Sequence, residues 1–522
     1  MQFDYLGAVD AHAQHSPDVV AFHNSRNESI TYAELKRQSD ALACWIAGNA
    51  AIPAHVPIVV YGHKSPQMLV CFFACAKSGH AYVPIDVMYP RERVANIIEQ
   101  LGETAALDTV GTLLEVLGAE LKCPHFGPED LANARKGNGQ PAPAARVQEQ
   151  DAYYILFTSG STGTPKGVEI IRECVDQFTG WFCSTDYFAE DAGHRVWFNR
   201  APFTFDLSVT DLCGALARGD TMFALEAEAE QSLALTFEAL AAADVTDWVS
   251  TPSVLDQCLS DESFGPELLP SLKRTLHVGE VLRPETVRLA QERFPGLRVY
   301  NGYGPTESTD FVSLCEILPF MLEQDRSLPV GFAREGSELL VLDPETLEPV
   351  PDGEHGELFI VGDTVARGYW NRAEQTAAAF HSCPEALAHG MRSYRTGDEM
   401  TRDADGQYYY HGRYDLQIKL HGYRIELGDI EATLCALDEV SAACVVPVIR
   451  DGAISHLVAV VVPADLDAPR GFALTKQLKR EMRESVPTYM VPRAFKYADE
   501  LPLNPNGKAD RKALAALVNE RA

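Results

Sequence analysis

Short apolar segments alternate with amphipathic segments along most of this 522-residue chain. The first amphipathic segment, residues 30–46, has Thr31 and Glu34 at the spacing of a capping box, followed by apolar residues at helical spacing. Strands that alternate with helices in this way favour an α/β fold. The length also exceeds one ordinary core and predicts at least two domains. The strands are predicted at IVVYG (58–62), AYVPI (81–85) and YYILF (153–157).

Charge is distributed unevenly and marks a domain boundary. The net charge is −30, yet residues 413–522 contain 15 basic and 15 acidic residues, so the whole excess lies before residue 413. This tail also has its own secondary-structure plan, which predicts a compact α+β module. We therefore predict an N-terminal domain, 1–412, and a C-terminal domain, 413–522. Within the tail, helices are predicted at 430–437 and 472–486, and a hairpin at 441–449 and 456–462 around Asp451 and Gly452.

Composition argues against several functional classes. An acidic chain is poorly suited to a nucleic-acid backbone, which needs a basic face. The run MLVCFFACA (68–76) is shorter than the roughly 20 residues of a membrane span and predicts a buried helix. Because the N-terminus has no secretory pattern, we expect a cytoplasmic protein. The 12 cysteines show neither zinc-site nor disulfide spacing. A further Ala/Glu-rich segment, 224–244, predicts one ordinary helix.

The stretch TSGSTGTPKG (158–167) has the composition of a phosphate-binding loop. Small residues and hydroxyls let backbone N–H groups converge on an anion, and Lys166 adds positive charge. It is not a Walker A loop, because Pro165 replaces the second glycine and Gly167 replaces the hydroxyl residue that binds magnesium. A flexible surface turn has the same composition, so this stretch alone leaves both interpretations open.

Five more motifs follow in order, and together with TSGSTGTPKG they resemble those of the adenylate-forming superfamily. That superfamily includes acyl-CoA synthetases, luciferases and the enzymes that load amino acids onto carrier proteins. The resemblance covers nearly the whole chain and implies a large N-terminal domain of mixed α/β subdomains with a small mobile C-terminal α+β domain, hinged near Asp415. The motifs are APFTFDLS (201–208), NGYGPTES (301–308), YRTGD (394–398), GRYDLQIKLHGYRIEL (412–427) and NGKADRK (506–512).

The resemblance also implies a reaction and its cofactors. A carboxylate attacks the α-phosphate of ATP, pyrophosphate leaves, and a thiol then captures the acyl group from the acyl-AMP. Fixed cations and backbone donors stabilise the charge that develops on phosphate. By this resemblance, Thr306 binds phosphate, Glu307 holds Mg²⁺, Lys508 serves adenylation and Lys419 lies in the segment that serves thioester formation. The expected nucleotide-binding residues are Thr158, Ser159, Gly160, Ser161, Thr162, Gly163, Lys166, Asn301, Gly302, Tyr303, Asp398 and Arg413.

Asp206 indicates the class of acid. Amino-acid activators that resemble this chain have an aspartate at this position for the substrate ammonium, whereas activators of fatty or aryl acids do not need one. A helix N-cap or a satisfied buried acid is the structural alternative. The nearest resemblance is to stand-alone D-alanine:D-alanyl carrier protein ligases and to adenylation domains of nonribosomal peptide synthetases. The acceptor implied is the phosphopantetheine thiol of a separate carrier protein.

The predicted substrate pocket departs from the D-alanine pattern at two positions. Val278 replaces a cysteine, and Asp310 replaces an apolar residue. A second buried acid needs a hydroxyl, an amine or water as a partner, so alanine, serine and larger polar or cationic amino acids all stay open. An outward-facing Asp310 would favour a small aliphatic substrate. The pocket residues by this alignment are Asp206, Leu207, Thr210, Ser250, Leu276, Val278, Gly302, Asp310 and Phe311.

Two other functions remain to be separated from amino-acid activation. An acyl- or aryl-CoA ligase would make a free CoA thioester, and Asp206 argues against it. A non-catalytic nucleotide-binding protein would have no use for Lys508, Glu307 and Asp398 together.

Overall fold

The computed structural model describes residues 3–158, 164–188, 193–324, 326–414, 417–420, 422–450, 453–465, 470–502 and 509–519. Two compact units are present. The first comprises Met1–Val87, Leu101–Leu156 and Gly167–Tyr414, and the second comprises Met88–Gln100, Phe157–Lys166 and Asp415–Ala522. None of the helices within the described ranges has the length and apolar composition needed to cross a membrane.

The helices, in chain order, are α1 (Tyr5–His15), α2 (Tyr32–Gly48), α3 (Pro66–Lys77), α4 (Arg91–Leu101), α5 (Leu113–Leu117), α6 (Pro128–Ala134), α7 (Arg172–Ser184), α8 (Leu207–Arg218), α9 (Leu233–Ala241), α10 (Pro252–Leu259), α11 (Pro284–Arg293), α12 (Pro319–Leu322), α13 (Ala373–Phe380), α14 (Glu385–Ala388), α15 (Leu427–Cys435), α16 (Phe472–Ser485) and α17 (Arg511–Asn519).

The strands are β1 (Val20–Asn24), β2 (Ser29–Thr31), β3 (Ile58–Gly62), β4 (Tyr82–Asp86), β5 (Ala105–Asp108), β6 (His125–Phe126), β7 (Ala152–Thr158), β8 (Lys166–Ile171), β9 (Val196–Asn199), β10 (Thr221–Ala224), β11 (Asp247–Ser250), β12 (Arg274–His277), β13 (Arg298–Tyr303), β14 (Ser313–Glu316), β15 (Phe332–Ala333), β16 (Ser337–Leu342), β17 (Gly356–Gly362), β18 (Gly368–Tyr369), β19 (Ser393–Arg402), β20 (Tyr408–Arg413), β21 (Gln417–Leu420), β22 (Tyr423–Glu426), β23 (Val440–Arg450), β24 (Ala453–Pro463) and β25 (Ala494–Tyr497).

The described residues of the first unit form three sheets. A nine-stranded sheet has the order β15-β14-β13-β12-β11-β9-β10-β1-β2, and its strands from β13 to β1 are parallel. A seven-stranded sheet has the order β18-β8-β7-β4-β3-β5-β6, with parallel pairing among β4, β3, β5 and β6. A four-stranded sheet, β16-β17-β19-β20, is antiparallel. Parallel strands with helical crossovers confirm the predicted α/β class.

Local signals in the sequence account for several of these elements. The predicted capping box at α2 is confirmed: Thr31 Oγ1 accepts a hydrogen bond from the Glu34 N–H at 3.2 Å, and Glu34 accepts one from the Thr31 N–H at 3.1 Å. The apolar run at 68–76 is confirmed as a buried helix within α3, which begins at Pro66. Proline is favoured at the first helical position because its missing N–H would have no partner there.

One predicted helix is wrong. Residues 224–244 are not continuous: β10 ends at Ala224, a 3₁₀ turn covers 229–231, and α9 covers only Leu233–Ala241. Ser232 starts the helix by accepting a hydrogen bond from the Leu235 N–H at 3.3 Å. An N-cap residue has extended backbone geometry, so the helix cannot extend through it towards the strand.

The second unit has a small core of its own. Strands β23 and β24 pair in an antiparallel ladder, with β25 parallel to β24, and β21 and β22 form a separate hairpin. This confirms the predicted pairing of the two apolar tail segments, while the turn residues Asp451 and Gly452 lie outside the described residues. Helices α15 and α16 supply buried apolar residues to the same core, including Ile430, Leu478 and Met482.

A buried histidine makes the stability of the first unit depend on pH. His277 ends β12, its Nδ1 lies 3.2 Å from the Ser250 carbonyl oxygen, and burial lowers its pKa from 6.5 to about 4. The folded protein therefore stays unprotonated at this residue between these values while the unfolded chain binds a proton. Between pH 7 and pH 5 this difference lowers the free energy of unfolding by about 2 kcal/mol.

In urea unfolding, we expect His277→Asn to remove the part of the pH dependence that His277 causes, because asparagine does not titrate between pH 7 and pH 5. His15→Asn, at an exposed position in α1, is the control and should retain it. If the free energy of unfolding falls equally between pH 7 and pH 5 in the wild type and in His277→Asn, the assignment to His277 is wrong.

Candidate functional site

Most of the predicted site residues lie at one edge of the nine-stranded sheet. Strands β9, β11, β12 and β13 are parallel neighbours. Ser250 and Tyr303 end β11 and β13, while Asp206 and Val278 lie in the segments that follow β9 and β12. In open α/β sheets, ligands bind outside the carboxyl ends of the strands. The structure therefore brings together residues from four separate parts of the sequence.

Asp206 occupies the N-terminus of α8 and contacts the loop that follows β13. Its Oδ1 accepts a hydrogen bond from the Leu207 N–H at 2.9 Å, and its Oδ2 accepts one from the Thr306 hydroxyl at 2.5 Å. The side chain is nearly buried, with 8% of the residue exposed. Asp206 is thus an N-cap residue, which was the alternative to a substrate-binding role. It is also hydrogen-bonded to Thr306. A carboxylate in this position is a strong binding group for a substrate cation.

A second carboxylate, Asp310 in the loop after β13, contacts α8 one helical turn further along, at Thr210. The Thr210 hydroxyl donates a hydrogen bond to Asp310 Oδ2, and Asp310 is only 2% exposed. Burial raises the pKa of Asp310 well above its usual value, and the nearby charge of Asp206 raises it further. Asp310 does not face solvent, so the condition under which the sequence favoured a small aliphatic substrate is not met.

The loop that carries Asp310 has a tightly constrained backbone. Thr309 and Asp310 have φ values of 62° and 71°, in the left-handed region that few non-glycine residues adopt. A Cβ on Gly304 would lie 2.4 Å from the Asp310 carbonyl oxygen and 2.4 Å from the Phe311 Cα. Only glycine fits this close approach of two backbone segments, which fixes where Asp310 projects.

The apolar wall of the predicted pocket also assembles. Leu207, Leu276, Val278 and Phe311 are all buried. A Cβ built on Gly302 would lie 3.1 Å from Val278 Cγ2 and 3.5 Å from Phe311 Cδ2, so these three residues adjoin. Ser250 differs in role: its hydroxyl accepts from Trp248 Nε1 at 2.8 Å and donates to the Thr251 carbonyl at 2.9 Å. Both bonds orient it within the fold.

Phe311 belongs to the core as much as to the pocket. Its ring packs edge-on against Phe178, Trp181 and Phe182, with centroids 5.1 to 5.5 Å apart. Edge-to-face packing at these distances stabilises the arrangement and holds the ring in one orientation.

Tyr303, Asp398 and Arg413 form a second polar group. The Tyr303 hydroxyl donates a hydrogen bond to Asp398 Oδ2, and Arg413 Nη1 lies 2.6 Å from Asp398 Oδ1. Arg413 also donates to the Thr396 carbonyl at 2.9 Å, while β19 and β20 pair Asp398 with Arg413 directly. The two acceptor oxygens of Asp398 are thereby oriented, as the binding of a diol requires. Asn301 behaves differently, because its amide donates to the Pro329 carbonyl at 2.8 Å.

Glu307 is fully buried in the turn that follows Thr306. The Tyr369 hydroxyl donates to Glu307 Oε1 at 2.7 Å, and the Ala366 N–H donates to the Glu307 carbonyl at 2.8 Å. Tyr369 was not among the predicted site residues, and it lies in the segment GELFIVGDTVARGYWNR (356–372).

Tyr369 also links Glu307 to the end of the glycine-rich stretch. Strand β18 pairs with β8, and the Trp370 N–H donates to the Gly167 carbonyl at 2.7 Å. Thr158 is the last residue of β7 and Lys166 is the first of β8. The Thr158 hydroxyl is buried and makes no hydrogen bond within the described part of the chain.

The remaining predicted residues are in the second unit or outside the described residues. Lys419 lies in β21, opposite Arg424 in the β21–β22 hairpin of the second unit. The positions that lie outside the described residues are Ser159, Gly160, Ser161, Thr162, Gly163, Asp415 and Lys508.

Comparison with known proteins places this geometry in a family. Residues 9–370 match the model of AMP-binding enzymes, and residues 429–508 match the AMP-binding enzyme C-terminal domain. The chain is 40% identical over 513 residues to a D-alanine–D-alanyl carrier protein ligase of Bacillus cereus, with 98% of this chain and 99% of the relative covered. A ligase of the same name from Bacillus licheniformis is 40% identical over 511 residues, with 98% of each chain covered.

Solved structures agree with this placement. An NRPS protein containing adenylation and PCP domains, bound to a vinylsulfonamide inhibitor, is 26% identical with a TM-score of 0.79, covering 98% of this chain and 84% of that one. An adenylation domain from Vibrio cholerae in complex with glycyl-adenosine-5'-phosphate shares the fold at 22% identity, with a TM-score of 0.83 and coverage of 99% and 98%. The resemblance inferred from the motifs is confirmed. The chain belongs to the family of AMP-binding enzymes and has the adenylate-forming fold.

Proposed function

We propose that the protein activates an amino acid with ATP as an aminoacyl-AMP and transfers it to the phosphopantetheine thiol of a separate carrier protein. The observation that carries this proposal is the Asp206 carboxylate, which is buried beside Thr306. A group suited to an ammonium thus lies next to a residue expected to bind phosphate. The names of the curated relatives, D-alanine–D-alanyl carrier protein ligases, support the same class of reaction.

The nucleotide is expected to bind through two groups of residues. Asp398, oriented by Tyr303 and Arg413, would accept hydrogen bonds from the ribose hydroxyls. Thr306 and the stretch 158–167 would contact the phosphates through hydroxyls, backbone N–H groups and Lys166. The buried Thr158 hydroxyl, which has no hydrogen bond within the described ranges, fits a role in binding an oxyanion.

Glu307 is the residue best placed to hold Mg²⁺. Its carboxylate is a hard oxygen donor, and the Tyr369 hydroxyl orients it through one oxygen. Magnesium commonly binds one or two carboxylates together with substrate phosphates, so a single buried acid fits the ion. When bound, the ion would neutralise charge on the phosphate oxygens of ATP.

The reaction proceeds in two steps that conserve atoms and charge. In the first, a substrate carboxylate oxygen bonds to the α-phosphorus while the bond to the pyrophosphate oxygen breaks. We assign to Lys508 the neutralisation of the two anions that meet there. In the second, the carrier thiol, as its thiolate, bonds to the acyl carbon, and AMP leaves with the electron pair.

We also propose that the two steps use different positions of a C-terminal domain. The proposed boundary separates residues 1–412 from 413–522, with the hinge near Asp415. One position would present Lys508 for adenylation, and the other would present the segment of Lys419 for thioester formation. Domain rotation about a short hinge is a known way to divide labour between two closed states.

The test of the proposed function is amino-acid-dependent exchange of labelled pyrophosphate into ATP. We expect exchange with an amino acid and, with holo carrier protein, a thioester that free CoA does not replace. A CoA thioester made from an aryl or fatty acid would identify a CoA ligase instead. Nucleotide binding without exchange for any acid would identify a non-catalytic protein.

Arg413→Gln is expected to raise the KM for ATP about 10- to 100-fold, because Asp398 loses its cationic partner and its orientation. The KM for the amino acid should change little. The control is Arg402→Gln, whose guanidinium pairs with Asp352 at the surface and lies outside the proposed site. An unchanged KM for ATP in Arg413→Gln would contradict the assigned ribose-binding role.

A further inference from the structure

The predicted amino-acid pocket contains two carboxylates where the proposed reaction needs one. Asp206 and Thr210 are four residues apart on α8 and therefore lie on one face of the helix. Each is joined to the loop after β13, since Thr306 donates to Asp206 and Thr210 donates to Asp310. A substrate ammonium accounts for the carboxylate of Asp206, and Asp310 is left without an assigned ligand.

Burying Asp310 in this position costs free energy unless a ligand donates a hydrogen bond to its carboxyl group. It is buried, it lies close enough to Asp206 for their charges to interact, and its backbone is in the left-handed region. A buried carboxyl group needs hydrogen-bond donors, and the methyl group of alanine offers none. An apolar residue would be the better match to alanine at this position.

The space beside Asp310 limits the ligand to a short side chain. Val278, Gly302 and Phe311 adjoin closely enough that one added carbon at Gly302 would contact both of the others. Phe311 is held in place by the surrounding aromatic rings and cannot easily retreat.

Building on the proposed function, we propose that Asp310 binds a hydrogen-bond donor on the side chain of the substrate. The activated amino acid then has a short side chain that ends in a hydroxyl or an amino group. The shared chemistry is an O–H or N–H donor at the γ position, represented by serine and 2,3-diaminopropionate.

A purely structural role for Asp310 makes different predictions. In that role, its bond with Thr210 would only fasten the loop after β13 to α8. Loss of the carboxylate would lower thermal stability and total activity, yet leave the relative use of different amino acids unchanged. Substrate ratios therefore separate the two roles where activity alone does not.

The experiment compares kcat/KM in pyrophosphate exchange for serine and 2-aminobutyrate, which differ by a hydroxyl in place of a methyl group. Both enantiomers, alanine and 2,3-diaminopropionate complete the panel. We expect the wild-type enzyme to prefer serine or diaminopropionate over 2-aminobutyrate by at least about 100-fold, as sites built around a substrate donor do. If serine is used best, the donor is a hydroxyl. If 2,3-diaminopropionate is used best, the donor is an ammonium.

Two variants test whether Asp310 causes the preference. Asp310→Gly accepts the left-handed backbone and removes the carboxylate, so the preference should fall to within a few-fold of unity. Asp310→Asn keeps the shape and one acceptor oxygen without the charge; it should retain use of serine far better than use of diaminopropionate. Thermal midpoints of each variant, with and without ATP, establish that the folded protein is being compared.

The outcomes distinguish this inference from the proposed function. Strong exchange with alanine, equal use of serine and 2-aminobutyrate, and an unchanged ratio in Asp310→Gly would overturn the inference while leaving amino-acid activation in place. The absence of exchange with any amino acid, together with exchange by an aryl or fatty acid, would overturn both.

Discussion

Replacing Asp206 with alanine is expected to lower kcat/KM for the amino acid in pyrophosphate exchange by about 150- to 5,000-fold. Breaking a buried charge pair by removing one partner costs about 3–5 kcal/mol, which corresponds to a factor of this size. The substrate ammonium would enter the pocket without a counter-charge, and Thr306 would lose its hydrogen-bond acceptor. Binding of ATP, measured by calorimetry in the absence of amino acid, should weaken far less.

The control for this change lies on the same helix. Asp211 is also fully buried, but its Oδ2 accepts a hydrogen bond from the Asn199 amide at 2.6 Å, and it is not among the residues assigned to the substrate. Burial raises the pKa of Asp211 well above the usual value, and Asp211→Asn keeps the size and shape of the side chain. This variant should retain amino-acid use within a few-fold. Normal activation of the amino acid by Asp206→Ala would remove the main reason for assigning this substrate class.

Lys508→Ala is expected to lower the rate of adenylate formation by about 1,000-fold or more, because two anions then meet without the cation assigned to screen them. Transfer of the acyl group from a preformed aminoacyl-AMP to the carrier thiol should remain largely intact. Single-turnover assays of each half-reaction make this comparison directly. The asymmetry follows from assigning Lys508 to only one of the two steps.

Lys496→Ala provides the matched control for Lys508. Lys496 is a half-buried lysine in β25 of the second unit and has no assigned catalytic role. Both half-reactions should proceed normally in this variant. Equal loss of both half-reactions in Lys508→Ala would overturn the division of labour between the two steps.

Sequence patterns correctly predicted the structural elements that depend only on residues close together in the chain. The capping box of α2 needs only Thr31 and Glu34, and the buried α3 needs only an uninterrupted apolar run. The failure at 224–244 arose because alanine and glutamate favour a helix locally, whereas Ser232 caps α9 and confines the helix to Leu233–Ala241.

The same difference between local and long-range interactions applies to the site. The resemblance implied that Tyr303, Asp398 and Arg413 bind the nucleotide, and in the structure the three side chains lie together. The bond between Thr210 and Asp310 joins residues 100 positions apart, and no local pattern encodes such a contact. Tyr369 was missed for this reason too, since its partner Glu307 lies 62 positions away. Long-range partners become visible only once the sheets are assembled.

Gly304 limits how this pocket can diversify. Because a side chain there would collide with the backbone at Asp310 and Phe311, the path of the loop cannot change by substitution at that position. New specificities must come instead from exchanging side chains on an unchanged backbone, at Val278, Gly302 and Asp310. Homologous enzymes with this glycine should therefore differ in the acids they select through a few side chains, and grafting those side chains should transfer the preference. Directed evolution of this enzyme is best confined to the same three positions.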